Sequence, residues 1–152
     1  MDQASSIRLD EASGRSMDHK RISETTLRVR YAETDAMGVV YHANYFVWFE
    51  VGRGDWFRAF GQDYGEWETL GYFLPVSEAH ARFHAPARYA DVITVRTWIK
   101  EARSRGVTLG YEVLDAASQK RLVSGWTKHI CMDREGEACR LPGNMQDLLE
   151  QA

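Results

Sequence analysis

The sequence predicts an α+β domain in which one long helix packs against an antiparallel sheet. One aromatic-rich segment, from about residue 43 to residue 60, repeats its large side chains at helical spacing. Four runs in the second half of the chain, and one run before the helix, alternate apolar and polar residues as half-buried strands do. Because the later runs are joined by short turns, we expect antiparallel pairing.

Length and composition fit a single domain without a membrane span. The chain has 152 residues, of which 44% are hydrophobic and 12% aromatic, enough for a packed core. A net charge of −3 gives no overall attraction to nucleic acid or to anionic membranes. No apolar run approaches the roughly 20 residues that a membrane span needs, and the first residues lack the apolar region of a signal peptide. We therefore expect a cytoplasmic protein whose two cysteines are free thiols.

The first part of the chain predicts a tail, a strand and an acidic turn. Residues 1–24 are polar and aperiodic, so we expect a disordered tail before a domain that spans residues 25–152. Residues 25–31 alternate as a strand. Glu33 and Asp35 then lie in a turn that bends at Gly38.

The aromatic segment predicts a helix that is buried on most sides and stops at Gly61. Gly52 and Gly54 each cost about 1 kcal/mol relative to Ala inside a helix. We expect the close approach of a neighbouring sheet to compensate for this cost.

The remaining elements follow from alternation and turn residues. Strands are predicted at residues 77–85, 91–101, 107–113 and 121–133, with a turn at 133–136 and short helices near 63–71 and at 144–152.

The carboxylate of Asp35 has a position suited to catalysis. Asp35 lies a few residues before the predicted helix, whose first backbone N–H groups have no intrahelical partner and carry a partial positive charge. An acid or base and an electrophile-stabilising site are therefore expected close together. The alternative is that Asp35 only caps its own turn.

The motif YAETDAMGVVYHANYFVWFEVGR, residues 31–53, closely resembles the signature of hotdog-fold acyl-CoA thioesterases of the 4-hydroxybenzoyl-CoA thioesterase type, including the bacterial branch associated with the Tol–Pal system. Weaker matches in HAPARYADVITV and KEARSRG extend the resemblance over residues 27–149. It implies a hotdog fold, in which a five-stranded antiparallel sheet wraps around one long central helix. It also implies acyl-CoA substrates, no metal or redox cofactor, and homodimers or homotetramers with active sites at subunit interfaces.

The resemblance also assigns residues. Asp35 matches the catalytic aspartate, as general base or nucleophile, and Gly38 matches the glycine of the turn. Tyr41 and His42 match the start of the central helix, where a backbone N–H polarises the thioester carbonyl. Glu33 stands where the family commonly has Asp.

Two residues of the helix region have open roles. His42 is expected either to orient the thioester or a water molecule, or to contribute only its backbone. Glu50 is a reserve catalytic acid, with an ion pair to Arg53 as the alternative.

Basic residues of the second half match the part of the family that holds coenzyme A phosphates. Arg103, Arg105 and Lys100 lie near a predicted hairpin turn, and Arg88 lies in the connection before the third strand. The alternative is a solvated, charged turn.

His80 and His84 do not suit a shared metal ion, because four residues of strand span about 13 Å at roughly 3.3 Å per residue. We expect them to pair with Glu78 and Arg82 on a polar or interfacial face.

The functional expectation is hydrolysis of a short-chain, medium-chain or aromatic acyl-CoA to a free acid and coenzyme A. Two alternatives stay open at this stage: a hotdog dehydratase or hydratase acting on acyl thioesters, and a non-catalytic hotdog protein that binds acyl-CoA.

Overall fold

The computed structural model describes residues 21–61 and 64–152. Its elements are β1 (Ser23–Arg28), a 3₁₀ turn (Tyr31–Glu33), α1 (Asn44–Phe60), α2 (Tyr64–Thr69), β2 (Val76–Phe83), β3 (Val92–Arg103), β4 (Gly106–Asp115), β5 (Arg121–Ile130) and α3 (Gly143–Glu150). The predicted tail falls mostly on residues 1–20, which lie outside the described residues.

The five strands form one antiparallel sheet in the order β1-β3-β4-β5-β2. The predicted α+β class and the antiparallel pairing are therefore confirmed. β1 and β2 follow each other as strands along the chain but form the two opposite edges of the sheet. Within the described part of the chain, β2 pairs with β5 alone. The outer edge of β2 therefore has unpaired backbone groups that can bind a further strand.

α1 packs its large aromatic residues against the sheet. Phe49, Trp56 and Phe57 are fully buried, and the Phe49 ring stacks on the Tyr111 ring of β4 with a centroid distance of 4.3 Å. The opposite side of α1 is open, since Val47 is 50% exposed. The expectation of burial on most sides was therefore too strong, because one helix face meets no neighbour in the described chain.

The two helix glycines have different surroundings. A Cβ at Gly52 would collide with the Thr97 and Val95 side chains of β3, so the sheet does approach closely there. A Cβ at Gly54 would meet only the Arg58 guanidinium of the same helix, 3.2 Å away. The packing explanation is therefore correct for Gly52 and wrong for Gly54. α1 ends at Phe60 and Gly61 stops it as predicted, with the Gly61 N–H donating to the Phe57 carbonyl.

Two boundaries differ from the predictions in ways that affect the site. β1 ends at Arg28 because the chain then turns, with the Arg30 N–H donating to the Glu33 carboxylate. The β3–β4 turn contains only Ser104 and Arg105, so Lys100 and Arg103 belong to β3 itself.

Candidate active site

Asp35 is held by a tight turn. The Asp35 N–H donates to the Val39 carbonyl and the Gly38 N–H donates to the Asp35 carbonyl, both at 2.9 Å. Gly38 has a φ of 79°, a left-handed conformation that favours glycine. The Met37 N–H donates to Asp35 Oδ1 at 2.9 Å, whereas Oδ2 accepts no hydrogen bond from the described residues. One carboxylate oxygen therefore caps the turn, and the other has room for a substrate or a water molecule.

Glu33 connects this turn to α1. Its side chain is 6% exposed and accepts hydrogen bonds from the Arg30 N–H and from Trp48 Nε1, both at 2.8 Å. Its carbonyl accepts from the Tyr41 N–H at 2.9 Å and from Asn44 Nδ2 at 2.8 Å. The bonds from Asn44 and Trp48 fix the Asp35 turn to the first turns of α1.

The environment of Glu33 keeps its carboxylate ionised. Burial alone raises its pKa, but the hydrogen bonds from the Arg30 N–H and the Trp48 indole, together with the Arg30 guanidinium, outweigh burial. The pKa of Glu33 therefore lies below its ordinary value.

The start of α1 leaves two backbone donors unused. The Asn44, Tyr45 and Phe46 N–H groups donate to carbonyls three residues back. The N–H groups of His42 and Ala43 donate to no acceptor in the described chain, as expected at a helix start. These are donors of the kind that can polarise a carbonyl.

A second chain segment completes the cavity. The Val40 N–H donates to the Ala87 carbonyl at 2.9 Å, which joins the Asp35 turn to the chain after β2. The Phe83 ring lies 5.6 Å from the Tyr45 ring and 6.2 Å from the His42 ring. The resulting open cavity has a volume of about 340 Å³ and is lined by Asp35, Val39, Val40, His42, Tyr45, Phe83, His84, Ala85 and Pro86. The structure thus brings Asp35 and His42 together.

Tyr41 stands beside this cavity without lining it. Its ring packs against His42 at 4.5 Å, and the residue is 47% exposed. Arg88 lies on the same side of the molecule, since Val39 and Arg88 form an isolated β-bridge.

Arg103 and Arg105 line a different cavity of about 320 Å³, between the β3–β4 hairpin and β5. Arg103 donates to Glu101 at 2.7 Å, and Arg105 donates to the Ala138 carbonyl at 3.3 Å. Lys128 lines this cavity and Lys100 does not. Nothing in the sequence pattern marks Lys128 as a member of the cluster, because β5 joins it only through sheet pairing.

The two cavities lie at opposite ends of the β2–β5 pair. Val76 pairs with His129 at the basic cavity, and Phe83 pairs with Val123 at the Asp35 cavity. Seven residues of strand span about 23 Å. One chain therefore does not bring Arg103 and Arg105 next to Asp35.

Glu50 lies on the exposed side of α1 and forms no ion pair with the described residues, so the expected pair with Arg53 is absent. Arg53 instead lies near the Tyr111 hydroxyl, close enough for its charge to act on that group. Tyr111 is the first member of a buried series of hydrogen-bonded side chains. Its hydroxyl bonds Thr127 at 2.6 Å, and Thr127 bonds His129 at 2.8 Å.

His129 is a core residue. Burial, and next the positive charge of Arg53, lower its pKa to about 4. It is therefore neutral over the physiological range.

His80 in β2 and His84 directly after β2 have different surroundings. His80 stacks on Trp126 with a centroid distance of 5.7 Å, whereas His84 lies 2.8 Å from Ser124 through Nε2 and lines the Asp35 cavity. The expected pairing of these histidines with Glu78 and Arg82 is not found: Glu78 pairs with Lys128 at 3.7 Å. Alternation along one strand could not reveal that His84 reaches the cavity.

Within residues 21–61 and 64–152, no three His, Cys, Asp or Glu side chains are placed to hold a metal ion. No helix in that part of the chain is long and apolar enough to cross a membrane.

Comparison with known proteins identifies the family. The family model described as the thioesterase-like superfamily matches residues 29–151. YneP of Bacillus subtilis, named as a candidate acyl-CoA thioesterase, is 37% identical over 114 residues, which cover 75% of this chain and 82% of YneP.

Solved structures agree. A hypothetical protein of Thermus thermophilus superposes with a TM-score of 0.80 at 38% identity, covering 86% of this chain and 96% of that one. The DHNA-CoA thioesterase of Staphylococcus aureus superposes with a TM-score of 0.79 at 31% identity, covering 86% and 87%. The chain belongs to the thioesterase-like superfamily, which confirms both the predicted family and the predicted class of enzyme, a thioester hydrolase.

Proposed function

We propose that this enzyme hydrolyses acyl-CoA thioesters at the cavity lined by Asp35 and His42. The observation that carries the proposal is that Asp35, with one unbonded carboxylate oxygen, and His42, with an unused N–H at the helix start, line the same cavity. The names of YneP and of the Staphylococcus aureus enzyme support the acyl-CoA part of the proposal.

The chemistry follows from these parts. Hydrolysis develops negative charge on the carbonyl oxygen, and one preoriented donor is worth about 10²–10³-fold in rate. We assign this role to the N–H groups of His42 and Ala43. Asp35 then activates a water molecule as general base, or attacks the carbonyl carbon to form an anhydride that water opens. Gly38 allows the turn that holds Asp35, and Tyr41 supports the His42 ring.

The cavity favours a short, medium or aromatic acyl group. Its volume is about 340 Å³, and the rings of Tyr45, Phe83 and His42 form much of its wall. Aromatic walls accept flat rings and aliphatic chains alike.

The two alternatives have less support. A dehydratase or hydratase needs an acid and a base placed at the acyl Cα and Cβ, and Glu50, the reserve acid, is on the exposed side of α1. A non-catalytic acyl-CoA-binding protein has no need of the Asp35 turn or of its connection to the helix start through Glu33.

We further propose a homodimer, or a homotetramer of such dimers, in which α1 is the central helix of a hotdog fold. The open edge of β2 and the exposed Phe83 and Val76 side chains, 49% and 50% exposed, support a second subunit at this edge. The separation of the two cavities supports a shared site, in which Arg103 and Arg105 of one subunit hold coenzyme A phosphates for Asp35 of the other. Lys100 and Arg88 are the outer candidates for the same role. The location we propose is the cytoplasm, where acyl-CoA is made and used.

The substrate test is thiol release from acetyl-, hexanoyl-, palmitoyl-, benzoyl- and 4-hydroxybenzoyl-coenzyme A. We expect release from the shorter and aromatic members, and a loss of at least about 10²-fold in kcat for Asp35→Asn. Tight coenzyme A binding with no release from any member would favour the binding protein. Release that Asp35→Asn leaves unchanged would move the chemistry to Glu50.

The shared site is tested by mixing two inactive variants. Asp35→Asn subunits and subunits with both Arg103→Ala and Arg105→Ala are combined and allowed to exchange. If sites are shared, each mixed dimer contains one intact site and activity returns. If each chain holds its own site, every site keeps one defect and mixing restores nothing.

A further inference from the structure

We propose that His84 is a catalytic residue of this site, the general acid that donates a proton to the departing thiolate. The proposal rests on the thioester hydrolysis proposed above and extends it to a residue that neither the motif nor the helix start supplies. His84 lines the same cavity as Asp35 and His42 but comes from the other chain segment.

The backbone fixes His84 at this position. β2 ends at Phe83, and the His84 and Ala85 N–H groups then both donate to the Leu122 carbonyl of β5, at 2.8 and 3.1 Å. Two residues further, Ala87 accepts from the Val40 N–H at 2.9 Å. His84 is thus held between the last strand of the sheet and the Asp35 turn.

The side chain is held as well. His84 Nε2 lies 2.8 Å from Ser124 Oγ of β5. A protonated imidazole has a donor on each ring nitrogen. The cavity that His84 lines is open, so water can return the proton after each turnover.

The roles of the ionisable groups in the cavity follow from these positions. The other ionisable groups in its wall are Asp35, His42 and Tyr45. Asp35 is assigned to the water molecule, and His42 lies at the helix start that holds the carbonyl oxygen. Burial raises the pKa of Tyr45 further above neutrality. The His84 imidazole is the remaining side chain of the wall that can hold and give a proton.

Water adds to the carbonyl carbon as Asp35 takes its proton, which leaves a tetrahedral oxyanion. The oxyanion reforms the C=O bond, the C–S bond breaks, and its electron pair goes to sulfur. The His84 imidazolium gives its proton to that sulfur, which leaves free coenzyme A thiol, a carboxylic acid and neutral imidazole. Solvent then reprotonates His84 and removes the proton from Asp35.

The test compares two thioesters of one acyl group, the coenzyme A thioester and the 4-nitrothiophenol thioester, in wild type and His84→Gln. Glutamine keeps a hydrogen bond to Ser124 but cannot deliver a proton. We expect kcat for the coenzyme A thioester to fall by roughly 10²-fold, as for loss of a general acid. We expect kcat for the nitrothiophenol thioester to be almost unchanged, because its thiolate leaves without a proton.

The matched control is His80→Gln. His80 lies four residues earlier, stacks on Trp126 and is not part of the cavity wall, so both rates are expected to stay at wild-type values. Melting temperatures close to wild type show that both variants fold.

Two results would overturn the proposal. Equal losses on both thioesters would make His84 a positioning residue, and an unchanged rate on the coenzyme A thioester would remove it from the reaction. If wild type releases no thiol from either compound, the proposed hydrolysis itself fails. Wild-type activity that is lost in Asp35→Asn but kept in His84→Gln separates the two failures.

Discussion

Glu33 and Asp35 are two residues apart in one turn, yet their carboxylates have different surroundings. Glu33 is 6% exposed and bonded to Trp48 and to the Arg30 backbone, whereas Asp35 lines an open cavity with one oxygen unbonded in the described chain. A fully bonded acid stabilises structure, and an acid with a free oxygen beside a cavity can react. The same short acidic motif therefore supplies both the support of the site and the group proposed to do its chemistry.

The strongest way to break this comparison is to remove the reacting acid. We expect Asp35→Asn to lower kcat by about 10²–10⁴-fold, with little change in the melting temperature, because the amide can still accept the Met37 N–H. Thiol release and thermal unfolding are measured on the same preparation. A large fall in melting temperature would make Asp35 a structural residue like Glu33.

The converse change removes the supporting acid. We expect Glu33→Ala to lower the free energy of unfolding by about 3 kcal/mol, because it leaves the buried Trp48 indole N–H and the Arg30 N–H without an acceptor. Urea unfolding measures this loss. Glu33→Gln, which keeps an acceptor, is the control and should lose less. Unchanged stability in Glu33→Ala would show that these bonds do not hold the turn.

Acid tests the buried, hydrogen-bonded state of Glu33. Because the pKa of Glu33 is lower in the folded chain than its ordinary 4.5, its stabilisation is complete above pH 4.5 and is lost as pH falls through the folded value. Buried His129 acts earlier: its pKa drops from 6.5 to about 4, so stability falls by at most about 1.4 kcal/mol per pH unit between those values.

The measurement is urea unfolding from pH 7 to pH 3. Wild type and Glu33→Gln should share the decline that begins below pH 6.5, and wild type alone should show the added loss below 4.5. Stability that stays level from pH 6.5 to 4.5 would contradict the buried, neutral state of His129.

The smallest expected effect comes from changing Trp48, the donor of the hydrogen bond to Glu33. Trp48→Phe keeps a large ring but removes the donor to Glu33 Oε2, so we expect a loss of about 1.5 kcal/mol. The variant should keep most of its turnover, because the Arg30 N–H and the Asn44 side chain still hold the turn. Chemical denaturation and thiol release check both parts, and loss of turnover without loss of stability would argue against a purely structural role.

Local patterns predicted the helices and strands well, because each pattern depends on residues that are close together in the sequence. Alternation located the strands, and the spacing of the large aromatic residues located α1 together with its stop at Gly61. The order of the strands was not predicted, since pairing of β1 with β3 and of β2 with β5 depends on contacts far apart in the chain.

The site divides in the same way. Asp35 and His42 belong to one motif, so the sequence alone predicted their joint role, which stays a prediction. His84 and Ser124 are 40 residues apart and meet only through sheet pairing, and the burial of Glu33 depends on a tryptophan on the next helix. No spacing rule along the chain could reveal either contact.

The most direct measurement is kcat for thiol release by Asp35→Asn and Glu33→Gln, assayed side by side well below both melting temperatures. If the comparison is correct, Asp35→Asn turns over at least about 10²-fold more slowly than Glu33→Gln, which stays close to wild type. Equal rates, or a slower Glu33→Gln enzyme, would contradict the assignment of the chemistry to Asp35.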